Sequence, residues 1–264
     1  MSEQPSLRQR LEQAASELPE TPDIYLVLSG TSDSEPVRHF FDRDGLSAQP
    51  LYRGTPYAGW QDVMPYLVAV SPDSRFLDWI DETSSTDWGW AALSMASMEQ
   101  VFTHLRSLTQ IALSNGKAVF FRHWDARFLG PIYDHLESGQ QARLMGPIES
   151  WIAPDQIQRR NPGPVIDAEE KPYPWFTLPK SVEDALATLC WDQLIDSTVA
   201  ALHQLEPSPI AAYPAPVARQ KVQRHLRRLV GQTPVTEIDT ATFNTLHHRL
   251  QQDAGRSIRG KDHP

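Results

Sequence analysis

The chain has 264 residues, with 24 Lys and Arg against 33 Asp and Glu, a net charge of −9. That balance argues against a protein that binds nucleic acid over its whole surface by neutralising phosphates. Hydrophobic residues make up 40% and charged residues 22%, which excludes global disorder and leaves enough apolar side chain for one large or two small cores.

The single cysteine, Cys190, closes no intrachain disulfide, and no Cys cluster offers a zinc or iron–sulfur site, so a reducing cytoplasm fits best. The N-terminal sequence has no apolar run of the secretory kind, and stretches such as Tyr66 to Val70 are too short to span a bilayer. A soluble cytoplasmic protein with no membrane partner is expected. Charge is uneven along the chain. From Ala211 to Pro264 nine basic residues face four acidic ones, a net of +5, while residues 1–210 hold 15 basic against 29 acidic, a net of −14. Such a split suggests two surfaces of opposite sign and two partners.

In chain order, Leu7, Leu11, Ala14 and Leu18 repeat at helical spacing and predict an amphipathic helix ended by Pro19 and Pro22. Asp23 to Gly30 reads as a buried strand and Pro36 to Phe41 as a short helix; Gly45 to Gly59 is loop-like. Asp62 to Val70 has strand composition, with Pro65 marking its start or edge. Phe76, Leu77 and Ile80 line the buried side of the next helix, and Asp78, Asp81, Glu82 and Asp87 read as a solvated acidic face. Trp88 to Ser94 predicts a third strand, with Trp79, Trp88 and Trp90 in the core. Ser97 and Gln100 form a capping-box pattern at the head of a helix. Asn115-Gly116 between Thr109–Leu113 and Lys117–His123 predicts a hairpin with both central residues at positive φ. Helices over Ala126–Leu136 and Gln140–Met145 and a closing strand over Pro147–Ile152 complete the first unit.

From Ala153 to Pro179 six prolines and little periodicity predict an extended connector. Ser181 and Asp184 then cap a single helix with a stripe of Leu186, Leu189, Leu194, Ile195, Val199 and Leu202, and Cys190 is expected to be buried and inert. A basic helix over Val217–Val230, a last helix from Thr240 and a frayed tail over Gly255–Pro264 follow. The expected fold is α+β: a first lobe (1–152) with a mixed β-sheet flanked by helices, a proline-rich connector (153–180) and a smaller all-α lobe (181–264).

Catalytic motifs are missing. There is no phosphate loop, GxGxxG, GxSxG or HExxH. His123 with Asp125 could form an acid/base pair, the basis of an alternative reading as a small-molecule enzyme, but the simpler reading has Asp125 capping the following helix and pairing with Arg122 or Arg127. His247-His248 points its rings about 100° apart on a helix and does not chelate one ion. No metal or cofactor is expected. The basic helix carries Arg219, Lys221, Arg224, Arg227 and Arg228 without interleaved aromatics, so an acidic protein surface suits it better than nucleic acid, with a plain solvated helix face as the competing reading.

The segments LYRGTP (51–56), DVMPYLVAV (62–70), FLDWI (76–80), WGWAALS (88–94), SMEQVFTHLRSL (97–108), VFFRHWDARFL (119–129) and GPIESW (146–151), in this order, resemble the adaptor-chaperone family of bacterial type VI secretion called Tap or TEC. Its hairpin block commonly reads Phe-Arg-x-Tyr-Asp-Pro-Arg; here Trp124 replaces the Tyr and Ala126 the Pro, while Arg122, Asp125 and Arg127 keep their places. The resemblance implies a non-enzymatic adaptor that binds a cognate toxic effector in the cytoplasm and loads it onto the VgrG spike protein, with a first lobe shared among members and a variable second lobe. Expected protein contacts are Arg122, Trp124, Asp125 and Arg127 in the first lobe and Arg224, Arg227 and Arg228 in the second.

Overall fold

The computed structural model describes residues 5–45, 47–164, 171, 173–231, 235 and 238–259, with side chains to 254. The chain divides into two compact units between Pro179 and Lys180.

In the first unit α1 (Leu7–Ser16) opens with a complete capping box between Ser6 and Gln9. Then come β1 (Asp23–Leu28), α2 (Pro36–Arg43), β2 (Gln49–Pro50), β3 (Tyr66–Val70), α3 (Arg75–Glu82), β4 (Gly89–Ser94) and α4 (Met98–Ser107). A hairpin of β5 (Gln110–Ala112) and β6 (Ala118–Phe120) leads to α5 (Ala126–His135), α6 (Ser138–Met145), β7 (Ser150–Ile152) and β8 (Gln158–Arg160). Six strands form one sheet in the order β2-β3-β1-β4-β7-β8.

The unit is α+β as expected, but the sheet is not mixed: every pairing within it is antiparallel among the described residues. The expectation failed because β1 after Asp23 and β4 before Ser94 are continuously apolar, the composition of a strand covered on both faces, which is commonest in parallel sheets. Here helices and loops cover both faces of an antiparallel core. Ile24, Leu26, Leu28, Ala91, Leu93 and Ile152 pack with Leu7, Leu11, Phe40, Phe76, Leu77 and Trp79 of α1–α3. The alternate residues Trp90 and Trp151 point to the other face, where Trp151 meets Tyr133 of α5 edge-on at 5.6 Å. β1 and β4 run so close at their ends that a Cβ at Gly89, whose φ is +135°, would stand 1.8 Å from the Val27 carbonyl oxygen.

Two local expectations are refined. The hairpin turn holds three residues, Ser114 to Gly116, closed by Leu113 N–H donating to the Lys117 carbonyl at 2.9 Å, and of the Asn-Gly pair only Gly116 has positive φ. This is the longer hairpin turn, in which a single left-handed residue suffices. Within the stretch read as a connector, Gln158–Arg160 pairs with β7 as the edge strand, and Thr177 bridges Ala112 in parallel. Residues 165–170 and 172 of that stretch lie outside the described residues.

The second unit is all-α among its described residues: α7 (Lys180–Leu189), α8 (Trp191–His203), α9 (Ala215–Val230) and α10 (Thr240–Arg259). The single helix expected from Ser181 onward is broken at Cys190 into α7 and α8. α7 starts at Lys180, so Ser181 lies inside its first turn, and the break turns Leu189 out to 59% exposure while Cys190 is half-buried. A stripe drawn across the break therefore joins residues from two different helix axes. Leu202, Ile210, Ala218, Val222, Leu246 and Leu250 form one core cluster, and Leu194, Ile195 and Leu226 another. Of the tail expected from Gly255, the helix continues to Arg259 and residues 260–264 lie outside the described residues.

Candidate functional site

The His123–Arg127 segment sits between the hairpin and α5. After β6, Phe121 N–H donates to the Thr109 carbonyl at 2.9 Å, and the buried Trp90 indole N–H donates to the His123 carbonyl at 2.9 Å, which ties the segment to the second face of the sheet. Asp125 then adopts extended φ/ψ and caps α5, its Oδ1 accepting the Arg127 N–H at 3.1 Å. A carboxylate at that position satisfies one of the orphan amides of the first helical turn.

Asp125 is 2% exposed, yet two exposed guanidiniums reach it. Arg127 binds it in bidentate fashion, Nε to Oδ1 at 2.9 Å and Nη2 to Oδ2 at 2.8 Å, and Arg122 Nη2 stands 3.3 Å from Oδ2. The fork geometry fixes direction as well as charge. Arg127 also lies 3.7 Å from Asp87, which accepts the Ser32 hydroxyl at 2.6 Å and the Ser85 hydroxyl at 2.8 Å. Burial works against ionisation of Asp87, but the two hydroxyls and the Arg127 charge outweigh it and hold the carboxyl below its ordinary range. Hydrogen bonding to Asp125, opposed by partial burial, raises Arg127.

The geometry keeps His123 and Asp125 apart as a chemical pair. Both Asp125 oxygens are taken by Arg122, Arg127 and the α5 amide. Both His123 ring nitrogens are buried with no hydrogen-bond partner among the described residues, and burial, with the nearby His104 adding to it, pushes the imidazole down to about 3. A general base must reach the proton it abstracts, and at 1% exposure His123 meets no solvent-borne substrate here.

Trp124 is 2% exposed and sits beneath the surface, edge-on to Tyr52 at 5.8 Å and Phe120 at 5.5 Å. Arg122 spans it from above, 5.9 Å from the Trp124 ring and 5.1 Å from that of exposed Phe128. The aromatic cluster continues outward: Phe120 meets Tyr57 at 4.8 Å and Trp60 at 5.5 Å, and Trp60 is 49% exposed. Sequence reasoning did not single out Tyr57, Trp60, Ser32 or Ser85, and it read Asp87 only as part of a solvated acidic face, whereas the fold half-buries it among Ser32, Ser85 and Arg127. The aromatic density of residues 51–60 was a usable signal for the first two; the polar three are joined to the site only by the fold.

In the second unit α9 carries five Lys or Arg and no acid. Arg219 is clamped by Asp196 at 2.6 Å and Asp192 at 2.8 Å. Lys221, Arg224 and His225 converge on Asp253 at 3.1, 3.6 and 2.9 Å. The His225 hydrogen bond, then the Lys221 one, holds the Asp253 carboxyl below its ordinary range against the effect of burial. Arg227 lies over the Trp191 ring at 3.8 Å. Arg227 and Arg228 are exposed and form no ion pair among the described residues. His248 bonds Gln252 rather than His247, and among the described residues no three His, Cys, Asp or Glu side chains gather as metal ligands.

Residues 24–143 match the model of a family described as Domain of unknown function (DUF4123). The chain is also 28% identical over 100 residues to "Accessory protein VasW" of Vibrio cholerae serotype O1, a match covering 38% of this chain and a third of that protein's length. No solved structure matches significantly. The matched region contains the sheet centre, the hairpin and the whole Arg122–Asp125–Arg127 arrangement. Among the described residues no helix is long and apolar enough to cross a membrane.

Proposed function

We propose that the chain is an accessory adaptor of type VI secretion that binds a cognate effector in the cytoplasm and loads it onto the VgrG spike, acting through contact surfaces rather than by catalysis. The observation that carries this reading is the arrangement of Arg122 and Arg127, two exposed guanidiniums held in place by one buried carboxylate over a buried tryptophan. Arginines fixed in this way lose little freedom on contact and are the residues that dominate many interfaces. Its position inside the region matching the DUF4123 family, together with the similarity to a protein named as an accessory protein, supports the same reading.

In this proposal Trp124 and Asp125 act from below and Arg122 and Arg127 touch the partner. The first unit and the helical unit present separate surfaces, the second through Arg224, Arg227 and Arg228. The alternative, turnover of a small molecule by a His123–Asp125 pair, is not favoured, since no bond joins the two and His123 is sealed in the core.

Co-expression of the chain with the products of neighbouring genes, followed by affinity capture and size-exclusion chromatography, tests the proposal. An adaptor yields stable complexes with an effector and with a spike protein, and Arg122→Glu with Arg127→Glu removes at least one of them. Purified chain that turns over a metabolite, with the activity lost in His123→Ala, would overturn it.

A further inference from the structure

Val217, Gln220, Lys221, Gln223, Arg224 and Arg227 of α9 line a surface groove of about 580 Å³. Val217, Lys221, Arg224 and Arg228 follow one another at intervals of four, three and four residues, so they lie along one stripe of the helix. Two of the cations are backed by aromatic rings. Lys221 Nζ stands 4.7 Å from the Tyr213 ring, and Arg227 stacks on Trp191. Such backing fixes a cation before any partner arrives and lowers the ordering cost of binding.

Charge along this stripe is not balanced. Asp253 is shared by Lys221, Arg224 and His225, while Arg227 and Arg228 have no carboxylate among the described residues. Cations in a last turn do complement the helix dipole, which accounts for part of the preference at Arg227 and Arg228. In mid-helix Lys221 and Arg224 share the one carboxylate of Asp253 with His225, and neither effect accounts for Val217 lying 40% exposed at the groove's end.

We propose that the α9 groove holds an acidic amphipathic helix of a partner protein, its carboxylates three or four residues apart against Lys221, Arg224 and Arg227 and its apolar side on Val217. Charge complementarity selects this occupant, and the helical spacing of the cations selects its shape. The inference deepens the adaptor reading and rests on it for supposing that the ligand belongs to a protein.

The test uses the full chain and three labelled probes in fluorescence anisotropy: a synthetic amphipathic Glu/Leu helical peptide, its Lys/Leu counterpart and a random-sequence DNA duplex. The Glu peptide is expected to bind, more weakly as salt rises, and Arg227→Glu with Arg228→Glu to weaken it about tenfold or more. These side chains hold no ion pair among the described residues, and the milder Arg227→Gln, expected to give a smaller loss in the same direction, covers a misfolded double variant. Equal binding of the Lys peptide, tighter binding of the duplex, or no change on charge reversal overturns the inference. So does a concentration-dependent dimer in sedimentation that the same reversal abolishes, since the groove would then belong to a second copy. Effector and spike that still co-purify with a chain deaf to the Glu peptide sink this inference alone; peptide binding with no co-purifying partner sinks the adaptor reading alone.

Discussion

His123 is a buried base with no hydrogen-bond partner among the described residues, so its cost to the protein depends on pH. Burial lowers its folded-state value to about 3 from an ordinary 6.5. Between those values the unfolded chain takes up a proton that the folded chain refuses, so the stability this residue contributes is complete above pH 6.5 and is lost as pH falls toward 3. The slope amounts to at most ~1.4 kcal/mol per pH unit. In His123→Leu that slope disappears: urea midpoints of parent and variant should keep a constant difference above pH 6.5 and diverge below it, the parent falling faster, whereas parallel curves would show that the imidazole is hydrated. Asp125, unlike His123, is fully partnered: its four hydrogen bonds come from Arg122, Arg127 and the α5 amide. Asp125→Ala removes both cap and counter-ion and should cost about 2 kcal/mol, discounted because the two arginines regain water; Asp125→Asn keeps a cap acceptor and should cost about half as much by the same urea titration. This trio was legible in the sequence because its members lie within six residues of each other and a cap dictates the geometry. That Trp124 faces inward and Trp60 outward was not, since residue type sets what a side chain prefers and only packing decides which face it meets.

At the level of elements, the β5–β6 hairpin delivers the segment to α5, so its turn controls where Arg122 and Arg127 emerge. Gly116 has φ +81° and nothing within 4 Å of a Cβ placed there, which separates backbone strain from steric clash. Gly116→Ala should therefore cost about 1 kcal/mol through φ alone, read as a lower thermal midpoint with unchanged circular dichroism. A larger loss would mean that the turn is also packed in the native state. The helix start with local capping chemistry at Ser97 and the strands β1 and β4 could be read directly, because their signals lie within a few residues. Strand direction could not. Apolar runs separated by helices look alike in parallel and antiparallel sheets, and the choice here is made by pairings such as Ile24 with Val70 and with Leu93, far apart in the chain. The α7–α8 break was hidden for a similar reason: Leu189, Cys190 and Trp191 are all compatible with helix, and no proline or glycine marks the interruption.

Taken as a whole molecule, the chain concentrates negative charge before residue 211 and positive charge after it, and the fold divides at Lys180 into a sheet-based unit and a helical one. Each unit has its own apolar cluster, so a surface substitution in one leaves the core of the other untouched. An adaptor built this way should show losses that segregate by partner. If the guanidiniums over Trp124 serve one partner and the α9 cations serve the other, Arg122→Glu with Arg127→Glu should abolish one binary complex and spare the second, while Arg227→Glu with Arg228→Glu does the reverse. Each pair should cost its own complex about tenfold or more, because a desolvated arginine anchor replaced by an acid adds repulsion to the lost contact. Isothermal titration of each purified partner against the two double variants measures this, and the quadruple variant supplies the decisive comparison. Independent surfaces make its losses equal those of the two doubles taken one partner at a time, since sites that share no contact add. Both doubles weakening the same partner while the other binds unchanged would show one continuous interface, and the opposite charges of the two chain halves would then serve a single partner.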